Sequence, residues 1–298
     1  MLDVSAVRAA LERAKIENAA HEARLLCEAF QGEALERAVE RRITHEPLQY
    51  ILGEWGFWRE TYEVSPDCLV PRPDTEHLVE RAISLLPTGA RFLDLCTGSG
   101  CVAISTLCSR PDTTACALDL FPRTLALAER NALRNGVADR VTFQLADVLK
   151  TPPSMGQFDA ILSNPPYMRA DSGKRNESEE KYLARHEVCG GIADFCMAAS
   201  RLLKYGGRFL CVWRPDRLCD LLSALRKAGL EPKRMQFVHA DPVTEPSIVL
   251  VDATKGASPS LRIAAPLFLY EPAEKGESRR RLTAQAQRIY DTCSFPEE

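Results

Sequence analysis

The chain has 298 residues, 45 % of them apolar and 27 % charged, with 38 Lys and Arg against 41 Asp and Glu for a net charge of −3. That composition excludes a disordered or fibrous protein, and the charge argues against a surface built throughout to hold nucleic acid. The sign is uneven, with 16 basic and 12 acidic residues from Arg201 onward, so local basic surface stays open.

No run approaches the ~20 apolar residues of a membrane span. The start, Met1-Leu2-Asp3-Val4-Ser5, has neither the basic nor the apolar region of a secretion signal. Eleven cysteines with no C-x-x-C and no zinc-spaced histidine read as reduced, buried thiols. The expectation is a cytoplasmic protein without a metal site and without membrane association.

Residues 1–45 read as three short helices, because Gly and Pro are scarce and apolar positions recur at helical spacing. Val7, Leu11 and Ala14 form one stripe, Ala23, Leu26, Cys27 and Phe30 a second, Leu35 and Val39 a third. A module of this kind docks or orients a partner. Residues 46–74 are punctuated by proline, with a hairpin expected around 55–64 and its turn near Arg59-Glu60.

From about Thr75 strand and helix alternate. Strands are expected at 91–95, 114–118, 141–145, 160–163 and 208–213, with helices at 122–135 and 194–203 among the connections. This alternation predicts an α/β fold, a doubly wound parallel sheet covered on both faces. Strands at 234–240 and 247–251, joined by a short turn-rich loop, are expected to be antiparallel. The sheet is thus mostly parallel with an antiparallel last strand. A domain over 75–272 is followed by a basic tail, 273–298, with an exposed helix near 278–290.

The strand at 91–95 runs into Asp94-Leu95-Cys96-Thr97-Gly98-Ser99-Gly100, and a helix starts at about Cys101. Glycines at such a turn let backbone approach a ligand. The third glycine of a dinucleotide fingerprint is replaced by Ala103, which weighs against a pyrophosphate. Asp119 ends the next strand, where an acid can hold ribose hydroxyls, and Asp147 ends the one after. Three carboxylates at one sheet edge suit a cationic nucleoside without phosphate, and S-adenosylmethionine has that chemistry. Taken singly, Asp119 and Asp147 also read as caps of the helices that follow.

The fourth strand ends in Ser163-Asn164-Pro165-Pro166-Tyr167. A Pro-Pro pair there is equally a stiff exit turn, but its neighbours carry chemistry. The Asn164 side-chain carbonyl and the Pro165 backbone carbonyl are two acceptors that can hold both hydrogens of an NH₂ group. Tyr167 can lie flat on a planar amide or base. An amide or aromatic amine is a poor nucleophile, so positioning and electrostatic stabilisation are what such a site contributes.

On these residues the chain resembles the class I, Rossmann-like S-adenosylmethionine-dependent methyltransferases that methylate amino groups through an (N/D)PP(Y/F) motif. The resemblance assigns cofactor binding to Asp94, Cys96, Thr97, Gly98, Ser99, Gly100, Asp119, Leu120, Asp147, Val148 and Asn164. It assigns catalysis to Asn164, Pro165, Pro166 and Tyr167, and substrate contact to Arg72, Pro73, Asn164 and Tyr167.

The N-terminal third resembles the HemK/PrmC protein-glutamine N5-methyltransferases. The matching runs are His21-Glu22-Ala23-Arg24-Leu25-Leu26, Pro47-Leu48-Gln49-Tyr50-Ile51-Leu52-Gly53 and Leu69-Val70-Pro71-Arg72-Pro73-Asp74-Thr75-Glu76. That family methylates the Gly-Gly-Gln glutamine of peptide chain release factors, and in it the helical module helps dock the release factor. Downstream, Cys211-Val212-Trp213-Arg214-Pro215-Asp216-Arg217 and Pro266-Leu267-Phe268-Leu269-Tyr270 look more like bacterial tRNA adenine-N6 methyltransferases. There Asn164 to Tyr167 would hold the amine of a flipped adenine.

The expected partner is therefore a release factor, with tRNA as the alternative and a catalytically silent binding module behind both. The 168–186 loop, with 5 basic and 4 acidic residues, reads as a solvated flap or an RNA contact. Arg279-Arg280-Arg281 reads as a solvated helical turn or a phosphate contact.

Overall fold

The computed structural model describes residues 2–150, 155–165, 190–272 and 281–292, the side chains of 290–292 excepted. Four helices open the chain: α1 (Val4–Arg13), α2 (Ala19–Ala29), α3 (Gly32–Ile43) and α4 (Leu48–Leu52). Asp3 caps α1, its Oδ1 accepting from the Ala6 N–H at 2.8 Å. The expected stripes meet in one apolar cluster of Val7, Leu11, Ala23, Leu26, Leu35 and Val39, to which α4 adds Leu48 and Ile51. Arg42 on α3 grips Glu22 on α2 through Nε at 2.5 Å and Nη2 at 3.1 Å, with both side chains only 13 % exposed.

The proline-rich segment contains more structure than expected. α4 begins just after Pro47 and stops at Gly53, whose φ of +78° takes the chain out of the helix. The hairpin pairs β1 (Glu54–Phe57) with β2 (Glu60–Glu63), so its turn is Trp58-Arg59, one residue earlier than the sequence suggested. The Trp58 backbone N–H donates to Glu76 Oε1 at 2.8 Å and its indole N–H to Ser109 Oγ at 3.2 Å. Those two bonds seat the turn against α5 (Glu76–Leu85) and α6 (Cys101–Ser109).

The alternating region follows as β3 (Arg91–Leu95), β4 (Thr114–Asp119), α7 (Pro122–Arg134), β5 (Val141–Leu145), β6 (Phe158–Ser163), α8 (Ile192–Leu202), β7 (Leu203–Trp213), α9 (Leu218–Lys227), β8 (Leu230–His239) and β9 (Pro246–Lys255). Two-residue strands β10 (Arg262–Ile263) and β11 (Leu267–Phe268) and helix α10 (Ala284–Thr292) close it. In space the strands run β5-β4-β3-β6-β7-β9-β8-β10, with β11 also on β8.

The pairs from β5 to β7 are parallel, and β9 is antiparallel to both β7 and β8. The antiparallel strand is the last long one, but β10 and β11 follow it and pair with β8 in parallel. Successive residues alternate between two apolar clusters, as a pleated strand requires. Phe92, Ala115, Ala117, Leu210 and Val212 face the cluster under the hairpin, α5 and α6. Leu93, Cys116, Leu118, Phe209 and Cys211 face the one under α8 and α9.

The terminal helix is not simply exposed. Ala286 and Ile289 are fully buried, spaced to fall on one face of α10. Thr283 donates its hydroxyl to the Phe268 carbonyl at 2.6 Å and caps the helix by accepting from the Ala286 N–H at 3.0 Å. The arginines of the tail suggest an exposed helix, whereas Ala286 and Ile289 bury one face of it. Residues 273–280 and 293–298 lie outside the described residues.

Nine cysteines among the described residues are free thiols. Burial pushes Cys101 and Cys196 up to about 12. Among the described residues no helix is long and apolar enough to cross a membrane.

Candidate active site

From β3 the chain moves to β4 on one side and later to β6 on the other, which opens a crevice at the carboxyl ends of these strands. Asp94, at the end of β3, is 1 % exposed. Its Oδ2 accepts from Thr97 Oγ1 at 2.7 Å and from the Ala103 N–H at 3.3 Å. Burial, with the Asp119 carboxylate adding to it, pushes the Asp94 carboxyl up to about 7.

The loop from Cys96 to Gly100 is tied to the end of β4. Thr97 N–H donates to the Leu118 carbonyl at 3.0 Å. Gly98 N–H donates to Asp119 Oδ2 at 3.0 Å. Gly98 has φ +58°, and a Cβ there would meet nothing within 4 Å, so the loop presents bare backbone to open space.

Gly100 is different. At φ +83° its added Cβ would come within 2.8 Å of Ile104 Cδ1 and 3.2 Å of Ala128 Cβ. Its missing side chain serves the packing of α6 against α7. Thr97 and Ser99 are 4 % and 3 % exposed, and the Ser99 carbonyl accepts from Asn131 Nδ2 at 3.0 Å. Cys96 is half-buried at φ +60°.

Asp147 caps the short turn that follows it, as one reading of the sequence allowed, whereas Asp119 holds the turn before α7 and leaves that helix without a side-chain cap. Asp119 Oδ1 accepts from the Phe121 N–H at 3.2 Å, and burial raises its carboxyl above the ordinary value. Each carboxylate oxygen still has acceptor capacity. Asp147 Oδ1 accepts from the Leu149 N–H at 2.9 Å, and Lys150 lies 3.3 Å from Oδ2. Leu120 is half-buried, and Val148 is buried at the foot of the same turn.

Ser163 pairs with Leu95 in register and donates its hydroxyl to the Leu95 carbonyl at 3.0 Å. Asn164 therefore leaves β6 alongside the start of the glycine loop. Asn164 Nδ2 donates to Thr75 Oγ1 at 3.0 Å. Asn164 Oδ1 is buried without a hydrogen-bond partner among the described residues. Pro165 is buried, while Pro166, Tyr167 and the 168–186 loop lie outside the described residues.

Arg72 and Pro73 are exposed on the approach to Thr75. Arg72 Nη2 donates to Asp74 Oδ2 at 2.5 Å. Arg72 also lines a groove of about 430 Å³ with Arg214, Asp216, Glu245, Ser247 and Ile248.

Two residues of this constellation, Thr75 and Asn131, did not stand out in the sequence. Asn131 on α7 accepts from the Glu63 N–H at 2.7 Å and donates to the Glu63 and Ser99 carbonyls, each at 3.0 Å. It joins the hairpin to the glycine loop. A lone Asn inside an amphipathic helix carries no signal of that role.

A sheet of this order with a glycine loop and acids on its open edge defines a methyltransferase architecture. Residues 75–227 match the methyltransferase small domain, and the chain belongs to that family, whose cofactor is S-adenosylmethionine. A curated relative from Nitratidesulfovibrio vulgaris, named release factor glutamine methyltransferase, is 46 % identical over 131 residues. That match takes in 44 % of this chain and 44 % of the relative, so it spans less than half of the relative's length. One of the same name from Bordetella pertussis is 38 % identical over 198 residues, 64 % of this chain and 73 % of that protein. Among solved structures, a predicted O-methyltransferase from Agrobacterium tumefaciens aligns over 74 % of this chain and 97 % of its own, with TM-score 0.58 and 17 % identity. That likeness is one of fold.

Proposed function

We propose that the chain transfers a methyl group from S-adenosylmethionine to a glutamine side-chain nitrogen, the Gly-Gly-Gln glutamine of a peptide chain release factor, in the cytoplasm. The observation that carries this reading is Asn164 Oδ1, a buried acceptor with no partner among the described residues at the mouth of an acid-lined crevice. A buried acceptor left open costs free energy unless a ligand fills it. The names of the relatives support the glutamine substrate over the tRNA alternative.

The residues present fit the cofactor. Three carboxylates at one edge favour a cation, and the open face of Gly98 leaves room for it. When bound, S-adenosylmethionine supplies a methyl group on a sulfonium, the S–C electron pair staying on sulfur as the N–C bond forms. Asp119 would take the ribose hydroxyls, Asp147 with Val148 the adenine side, and Asp94 with the glycine loop the amino-acid end.

Asn164 Oδ1 and the Pro165 carbonyl would accept the two N–H bonds of the substrate amide and leave its lone pair aimed at the methyl. As positive charge builds on nitrogen, both carbonyl dipoles stabilise it. The methylated nitrogen then loses a proton to solvent, so no strong base is required. The stacking role expected of Tyr167 belongs to a residue outside the described ones.

The test supplies labelled cofactor with an unmethylated release factor and, in parallel, with tRNA lacking adenine-N6 methylation. Label is expected on the release-factor glutamine, and label in tRNA alone refutes the reading. Asn164→Ala is expected to lower kcat by at least about 100-fold, given the worth of a preorganised acceptor, while cofactor binding persists. Retained turnover would remove Asn164 from the chemistry.

A further inference from the structure

We propose that Thr75 is a positioning residue that decides which end of the Asn164 amide faces the reacting nitrogen. This rests on the reading of Asn164 given above. An asparagine amide has nearly the same shape in its two flipped orientations, but the chemistry is opposite. With Oδ1 toward the crevice, an incoming NH₂ meets an acceptor. With Nδ2 there, it meets another donor, and the amide cannot be held.

Nothing in the backbone of β6 chooses between the two. The choice is made by what lies on the amide's other side, and that is the Thr75 hydroxyl at 3.0 Å from Nδ2.

A hydroxyl can donate or accept, so Thr75 selects an orientation only if its own proton is committed elsewhere. Here it is. Thr75 Oγ1 lies 3.3 Å from Asp74 Oδ1, an acceptor to which only the hydroxyl can donate. Asp74 Oδ2 in turn accepts from Arg72 Nη2 at 2.5 Å, and their ion pair holds the carboxylate in place. With its proton spent on Asp74, Thr75 turns a lone pair toward Asn164, and only the NH₂ end of the amide satisfies it. Oδ1 is thereby left facing the crevice, buried and open. The chain Arg72–Asp74–Thr75–Asn164 links the exposed Arg72 to the site through hydrogen bonds.

The experiment compares Thr75→Val, isosteric but without the hydroxyl, with Thr75→Ser, which restores it. Steady-state transfer to an unmethylated release factor, cofactor affinity and the side-chain amide protons of Asn164 by ¹⁵N NMR are measured for each. The Asn164 signals are those absent from Asn164→Ser.

Thr75→Val is expected to lower kcat by about 10- to 100-fold, the factor that goes with one misdirected buried hydrogen bond. Cofactor Kd should stay within about twofold, below 0.5 kcal/mol. The amide proton that Thr75 protects from solvent exchange should lose that protection, and Thr75→Ser should recover both readouts. Unchanged kcat in Thr75→Val, equal losses in both variants, or an amide protected equally without the hydroxyl each overturn the proposal. If the wild-type protein labels no release factor, the substrate reading fails by itself, and the amide exchange still decides the role of Thr75.

Discussion

A carboxylate that is 1 % exposed must find a positive partner or keep its proton, and Asp94 has neither Lys nor Arg among its hydrogen-bond partners. Its value of about 7, set mainly by burial, lies above the ordinary 3.8. The folded chain thus binds this proton more tightly than the unfolded one. The stabilisation Asp94 contributes is present at acid pH and is lost as pH rises through about 7. On the proposed site, a cationic cofactor beside it reverses the balance by favouring the ionised form. Cofactor affinity is expected to tighten from about pH 5.5 to 7.5, by up to roughly tenfold per unit, and to level off above. Calorimetric titration across that range checks it, and Asp94→Asn should flatten the profile. The two loop glycines give a second test at this scale. Gly100→Ala forces a Cβ to 2.8 Å from Ile104 and is expected to cost roughly 2–4 kcal/mol in urea unfolding. Gly98→Ala has open space and should cost only about 1–2 kcal/mol for its left-handed φ. On the proposed cofactor site it should nevertheless weaken cofactor binding more than Gly100→Ala does, because it is the loop position left with open space around it.

Among the elements, those with a long periodic signal were legible in the sequence. The strands at 91–95 and 141–145 fall where alternation put them, and α7 ends one residue short of its expected end. The two-faced burial of β3, β4 and β7 is what continuous apolar runs imply. Missed or misplaced features are those in which a distant residue decides. α4 is five residues long, too short for a period, and its two ends are set by Pro47 and Gly53. The hairpin turn sits at Trp58-Arg59 because Glu76 and Ser109 take the Trp58 N–H groups. At the site, the strand-end acids and Asn164 were legible because motif and position coincide. Thr75 and Asn131 were not, since their partners lie 89 and 68 residues away along the chain. Asn131 is the element-scale test. Replacing it with Ala leaves the Glu63 N–H and the Glu63 and Ser99 carbonyls without that partner. The cost is expected at about 2–4 kcal/mol, read by chemical denaturation, with cofactor affinity falling as the loop loosens. A loss below about 0.5 kcal/mol would mean that solvent replaces the amide, and the staple would not be a structural element.

On the scale of the molecule, the apolar interior of the described residues falls into three clusters, and among them the one formed by α1 to α4 contains no residue of the sheet. Its stripes are satisfied among themselves, and the Arg42–Glu22 pair closes it from the side. At the joint to the rest, the Tyr50 hydroxyl donates to the Cys68 carbonyl at 2.7 Å, and the hairpin follows directly after Gly53. Among the described residues this element set builds a core of its own. We propose that this module docks the release factor. Removing residues 1–52 keeps Gly53, whose carbonyl accepts from the Val64 N–H at 3.0 Å, and with it the base of the hairpin. The shortened protein is expected to fold, because the clusters on both faces of the sheet remain whole. Its cofactor Kd should stay within about twofold of the intact chain. Transfer to an intact release factor should fall by at least about tenfold in kcat/KM, as expected when a remote binding surface is lost. Transfer to a short peptide carrying the same glutamine has no docking surface to lose, so the two chains should serve it equally. Equal rates on the intact factor would show that recognition lies wholly at the crevice, leaving the groove beside Arg72 and Arg214 to supply it.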